Sequence, residues 1–336
     1  MRVFSDHHHQ ALTHSLQLLF EKRLGGQLFN PIGLSWFEQG FWKGASVYGD
    51  NLGTVGQYLG TRGYQPDSDG IYRFEGGKWI TLDKFKEMDI DIVIASIPDH
   101  LAPFTDLINR FKPKAKLIFQ VGNHFDGVDY SLAKNILAST SAVGLPTNVN
   151  VVFYHQEFDT KVYNYTEPND SNYIRSFVHT LATASHFASD WQTFLELEKL
   201  MPEYRFESYG ASCRDGCISE QSDIARLMKG SKFGIHLKKF GDGFGHVFWN
   251  WAFCGRPLIT RWADYKDKLG GTLLKDGKTC ILVDNLSTEE IASKIRYYSQ
   301  VDCHKQMCHN IYDLAKQNCD FDEEEKKISL FLEKLI

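Results

Sequence analysis

The chain has 336 residues, about twice the usual domain size, with 43% hydrophobic and 24% charged content, so two soluble globular domains are expected, each able to bury a core. A net charge of −5 argues against a general nucleic-acid binder, which carries a basic balance, while leaving room for a local basic groove. No apolar run approaches the ~20 residues that span a bilayer, and the first residues, Met1-Arg-Val-Phe-Ser-Asp6, are no signal core; the expectation is a cytoplasmic protein, free or peripheral to a membrane.

Val3-Phe4 is a short candidate strand. Leu12, Leu16, Leu19, Phe20 and Leu24 share one face of a helix over residues 10 to 24, which Gly25-Gly26 ends. The stretch from Pro31 to Gly77 is aromatic and glycine-rich, with weak periodicity, and reads as loops and short elements. Asp91-Ile-Val-Ile-Ala-Ser96 is a continuous apolar run, as expected of a parallel strand buried on both faces, and a helix follows over 99 to 111. Lys116 to Val121 and Asn150 to Tyr154 are further strands. They lead into Gly122-Asn-His-Phe-Asp126 and His155-Gln-Glu157. Strands alternating with helices predict a doubly wound α/β domain, whose ligand crevice lies beyond the carboxyl ends of the strands. That places Asp6, His7, His8, His9, Asn123, His124 and residues 155 to 157 near one rim.

Residues 163 to 173 are polar and turn-prone and read as a linker. A second α/β series follows: strand 174–181, helix 189–201, strand 204–207, helix 219–229 and strand 232–238. Strands at 257–260 and 280–283 come next, then a helix over 288–299 with Ser287 as N-cap. The last helix, 321–335, carries Ile328, Phe331, Leu332 and Leu335 on one face. The predicted division is an N-terminal domain over 1–165, a C-terminal domain over 174–318, and a closing helix in 319–336 that packs back on the first domain.

Between strand 232–238 and strand 257–260 lies Asp242-Gly-Phe-Gly-His-Val-Phe-Trp-Asn250-Trp-Ala-Phe-Cys-Gly255-Arg-Pro257. It reads as strand, glycine loop, short helix, glycine stop, strand. Such a loop aims free backbone N–H groups of a helix start at an anionic ligand such as a diphosphate. A glycine pair alone also occurs in turns kept for packing. Asp242 and Asn250 add a carboxylate and an amide, the groups that hydrogen-bond sugar or ribose hydroxyls.

This run resembles the donor motif of GT-B glycosyltransferases of the retaining branch with an E-x7-E signature: Glu-Gly-Phe-Gly, four residues, then Glu-Ala-Met-Ala-x-Gly-x-Pro. Asp242 and Asn250 stand where that family has its two Glu; Gly243, Phe244, Gly245, Ala252, Gly255 and Pro257 fall in register. The turn Asp276-Gly277 is similar to the segment after the family's donor site. The resemblance implies two Rossmann-like domains facing a cleft, with a nucleotide-sugar co-substrate (a UDP- or GDP-sugar) on the C-terminal domain. It implies that Asp242 holds the sugar, Asn250 the ribose, and His124 the sugar or leaving group. Lys238, Lys239, Gly243, Phe244, Gly245 and His246 would complete the donor site, and Asp6, His7, His8 and His9 the acceptor-side rim. The family's Arg and Lys after the first strand of the second domain have no clear copy; Thr180, Thr183 and Ser185 stand there.

Metal-ligand readings are weaker. His7, His8 and His9 are adjacent, so their side chains diverge. Cys303-His304, Cys308-His309, Cys213 and Cys217 lack C-x2-C spacing, and the seven cysteines are expected to be reduced thiols. Trp249 and Trp251 read as core. The expected function is metal-independent, retaining transfer of a sugar from its nucleotide diphosphate to an acceptor hydroxyl, on a glycan, lipid-linked glycan, protein or modified nucleobase. A sugar-nucleotide epimerase and a non-catalytic nucleotide-sugar-binding protein are the alternatives.

Overall fold

The computed structural model describes residues 1–7, 9–42, 65–74, 76–123, 128–142 and 144–336. The chain divides into two compact units: residues 1–157 together with 321–336, and residues 158–320.

The first unit is built on β1 (Arg2–Ser5), β2 (Gln27–Pro31), β3 (Tyr72–Phe74), β4 (Gly77–Ile80), β5 (Ile92–Ala95), β6 (Lys116–Val121), β7 (Asn135–Ala138) and β8 (Asn150–Phe153). Among the described residues these form one sheet in the order β3-β4-β2-β1-β5-β6-β7-β8. Only β3 and β4 pair antiparallel in it. Successive side chains leave a strand on opposite faces, so β1 feeds two cores. Phe4 stacks on Trp36 at 4.9 Å and meets Phe85 edge-on, while Val3 packs with Leu16, Phe20, Ile92 and Ile118. The strand order reverses between β1 and β5, the switch point beyond which sheets of this kind place their ligand crevices.

Two features here differ from the sequence pattern, and the glycine-rich stretch holds short elements as read. The first helix is α-helical only over Gln10–Gln17 and widens to a π-helix over Leu18–Arg23. Strand β7 lies between β6 and β8, too short for its own pattern to stand out. The glycine-rich stretch supplies β3 and β4, while residues 43–64 are outside the described set.

Helix Phe321–Glu333 belongs to the first unit, where Ile328, Phe331 and Leu332 join the core under Val3 and Ile92. Arg23 ties it down by pairing with Asp322 and with Glu157, each at 2.7 Å. The backbone N–H of His155 donates to Glu324 at 2.8 Å.

The second unit holds β9 (Tyr173–Ser176), β10 (Arg205–Ser208), β11 (Phe233–Ile235), β12 (Leu258–Thr260) and β13 (Cys280–Leu282), parallel and ordered β10-β9-β11-β12-β13. Its switch point therefore lies between β9 and β11. Strand β9 stops at Ser176 rather than continuing to 181, because the chain turns and Thr180 takes φ +56°. Helices Ala188–Leu200 and Thr288–Tyr298 cover one face, with Phe194, Leu197, Ile291 and Ile295 buried against Ile174, Phe233, Ile259 and Ile281. Ser287 caps the second of these: its Oγ accepts from Glu290 N while Glu290 accepts from Ser287 N. Residues 163 to 173 are not a free tether. Tyr163 is buried, and the Arg256 guanidinium donates to the carbonyls of Thr166 at 2.9 Å and Lys229. The division falls after Glu157, ahead of this segment. Among the described residues no helix is long and apolar enough to cross a membrane.

Candidate functional site

The loop from β11 to helix His246–Phe253 is shaped by close backbone approach. Gly234 lies under Trp251, where a Cβ would meet the indole ring at 2.6 Å. The helix is buried on all sides, from Phe248 to Phe253, so its direction is set by packing and its N-terminus opens on the loop. Gly245, its N-cap, has φ +77°, and its carbonyl accepts from Phe248 N at 2.9 Å and Trp249 N at 3.2 Å. His246 is the first helical residue, half-buried, with its ring edge-on to Phe244 at 4.9 Å. Gly243 and Phe244 are buried in the loop.

Within the loop, Gly241 N donates to Lys238 O at 2.9 Å, closing a turn with Lys239 and Phe240 at its centre. Phe240 has φ +73° at the third position, which type II turns give to glycine. For an L-residue that conformation costs about 1–2 kcal/mol. Gly241 follows at φ +63°, with the Asp264 carbonyl 2.2 Å from where a Cβ would sit.

Asp242 is the centre of the site. Its Oδ2 accepts from His236 Nε2 at 2.9 Å and from the Tyr265 hydroxyl at 3.0 Å, and Lys238 Nζ donates to Oδ1. Burial alone would raise its pKa, but the Lys238 charge and the bonds from His236 and Lys238 outweigh it and hold the carboxyl well below the usual range. Tyr265 moves the other way: burial, then the Asp242 charge, keeps its phenol protonated and donating. Asp242 is 19% exposed through its side chain, so a fixed carboxylate with a neighbouring ammonium stays partly open past the end of β11, where such sheets take their ligands. Lys239 is exposed instead, with its ammonium 5.2 Å from the centre of the Phe240 ring.

Across the switch point, past the end of β9, stands His179. Its Nδ1 accepts from Ala211 N at 3.0 Å, which leaves the proton on Nε2. Partial desolvation first, then the charge of Lys238, lower its pKa, with Asp242 opposing. The sequence pattern misses His179 because 174–181 reads as strand, whereas β9 ends at Ser176 and the chain turns at Thr180.

Asn250 does not join the Asp242 set. It is 8% exposed, and its Oδ1 is enclosed with no hydrogen-bond partner among the described residues, an arrangement that costs about 1–3 kcal/mol. The packed helix thus encloses the acceptor of Asn250, the residue to which the resemblance gives the ribose.

In the first unit Asp6 is turned away from any rim. It is fully buried, and accepts from Ser96 N at 2.7 Å, from Ser96 Oγ, and from His100 Nδ1 at 2.8 Å. Burial raises its pKa, but these bonds prevail and lower it. It joins the ends of β1 and β5 across the first switch point. His7 takes φ +45°, with Nδ1 2.8 Å from Thr13 Oγ1 and its ring edge-on to Trp79. His9 is the N-cap residue of helix Gln10–Gln17. His8 and His124 lie outside the described residues. His155 and Glu157, expected at the rim, are taken up by Glu324 and Arg23. His304, from the Cys303–His309 stretch, is buried and donates to Lys232 O at 2.7 Å.

No protein-family model and no curated protein matches the chain. Among solved structures it is similar to HepE from Anabaena in complex with UDP-glucose, at 14% identity and TM-score 0.67, over 99% of this chain and 100% of that one. Sucrose-phosphate synthase from Thermosynechococcus elongatus matches at 10% identity and TM-score 0.67, over 99% and 98%. An alpha-glucosyltransferase in complex with UDP and a DNA 13-mer containing an HMU base matches at 12% identity and TM-score 0.62, over 98% of each chain. At these identities the likeness is one of fold, and the fold is the two-domain, parallel-sheet α/β architecture of GT-B glycosyltransferases.

Proposed function

We propose that the protein is a glycosyltransferase that moves a sugar from a nucleotide diphosphate to an acceptor hydroxyl, without a metal ion and with retention at the anomeric carbon. The observation that carries this is the ionised Asp242, fixed by His236, Lys238 and Tyr265 at the second switch point, beside the Gly245-capped helix start. A fixed carboxylate suits sugar hydroxyls, and a helix N-terminus with a lysine suits a diphosphate. The GT-B fold supports the same reading. HepE in complex with UDP-glucose makes uridine donors the first to test.

In the reaction the bond from the anomeric carbon to the diphosphate oxygen breaks, and the electron pair leaves with the nucleoside diphosphate. The acceptor oxygen bonds to the same carbon, and its proton passes to the departing phosphate oxygen. Charge grows on the diphosphate, and the helix-start N–H groups and Lys238 stabilise it there. The Nε2–H of His179 is a further donor at the same crevice. Asp242 orients the sugar.

Thermal shift with UDP, GDP, ADP, CMP and their sugars tests the reading. A ligand at about 100 times its Kd adds about 2.7 kcal/mol of stability. One nucleotide series is expected to raise Tm; flat curves for every nucleotide would sink the proposal.

A further inference from the structure

We infer that Phe240 is a stacking platform for the pyranose ring of the donor sugar, and so a determinant of which sugar the site accepts. The inference rests on the donor-site reading above and adds a residue to it. Three observations meet at this position. The first is exposure: Phe240 is 68% exposed, so its ring is not kept for packing. The second is strain: a bulky side chain occupies a turn position with φ +73° that glycine would fill without penalty. The third is rigidity. Lys239 N donates to Asp190 and Phe240 N to Asp264 Oδ1 at 3.0 Å, while Arg261 pairs with both carboxylates. A strained, exposed aromatic on a pinned turn is held against the preference of its own backbone, and such positions concentrate at ligand sites.

Chemistry selects the occupant. A pyranose presents hydroxyls at its edge and C–H groups on its faces. A carboxylate for the hydroxyls and an aromatic plane for the C–H face recognise the two together. Asp242 and Phe240 are two residues apart on one loop. The Lys239 ammonium lies 5.2 Å from the centre of the Phe240 ring, so one face is occupied by a cation and the other remains for a ligand.

The test compares the intact protein with Phe240→Ala, Phe240→Gly and Phe240→Trp. Calorimetric titration uses UDP-glucose and UDP, or the equivalent pair for the nucleotide that thermal shift selects. In the Ala and Gly variants the Kd for the sugar nucleotide is expected to rise about tenfold, with the bare nucleotide within about twofold, and Trp is expected to retain the affinity. Melting separates strain from packing: the Ala variant melts with the wild type, and the Gly variant melts about 2–4 °C above the Ala variant. Equal weakening of both nucleotides, or no weakening, overturns the sugar contact. An Ala variant that melts well below the wild type makes Phe240 a packing residue and overturns the inference as well. If the wild type binds no nucleotide, the donor-site reading itself has failed, and Phe240 with it. Wild-type binding with indifferent variants rejects Phe240 alone.

Discussion

Asp6 and Asp242 stand at the same topological place in two different sheets. Each lies past the carboxyl end of a strand beside a switch point, and each has its pKa lowered by donors that outweigh burial. Yet Asp6 is sealed against Ser96 and His100 inside the first unit, whereas Asp242 keeps 19% of its side chain in the open. The contrast teaches that position at a switch point does not by itself make a carboxylate a ligand group. Asp6 spends its hydrogen bonds on joining β1 to β5. Asp242 is oriented by a comparable set and still has a face to offer.

The largest way to break the comparison is Asp6→Ala. Removing the acceptor leaves Ser96 N and the His100 ring buried without it, and stability is expected to fall by about 3 kcal/mol or more in urea unfolding. The Asp6 contribution is fully present above the ordinary carboxylate pKa of 3.8 and fades as pH falls below it towards the folded value, so the deficit narrows in strong acid. Sugar-nucleotide affinity of the folded fraction is expected to be unchanged, and a selective loss there would erase the distinction between the two aspartates.

Acid unfolding sharpens it next, because His304 titrates in a different window. Burial first, opposed by its bond to Lys232 O, lowers His304 from 6.5 to about 4. The unfolded chain takes up the proton first, so stability is complete above pH 6.5 and falls between 6.5 and about 4, by about 3 kcal/mol in all. His304→Gln is expected to flatten this limb in denaturant melts between pH 7 and 4, leaving the steeper carboxylate limb in view. An unchanged limb would assign it elsewhere.

The smallest effect is the most diagnostic. Asp242→Asn keeps the shape and removes the charge that Lys238 faces. It is expected to weaken the sugar nucleotide about tenfold, or about 1.4 kcal/mol, and the bare nucleotide less. Equal weakening of both would move Asp242 from the sugar to the diphosphate.

The legible parts of the sequence were those where one short window carries the physics. The apolar run of β5, the Gly245 helix start and the Ser287 capping box all depend on neighbours within a few residues. The partners of the two aspartates do not: Ser96 is 90 positions from Asp6, and Tyr265 is 23 from Asp242. Strand β7 has four residues and no alternation to read. Phe240 hid for a different reason: its residue type does not mark a left-handed turn position, and the strain exists only in φ. Asn250 was legible as a polar residue in an apolar helix, but the direction of its Oδ1 depended on packing that no periodicity reveals.

The return of helix Phe321–Glu333 to the first unit makes residues 158–320 an insertion within a discontinuous one. During synthesis the inserted unit is polymerised before Ile328, Phe331 and Leu332, which complete this core of the first unit. The nascent first sheet must therefore wait with the face of Val3 and Ile92 incompletely covered while its insert matures. The Arg23, Glu157 and Asp322 cluster and the His155–Glu324 contact then latch the returning helix onto the unit that was begun before the insert.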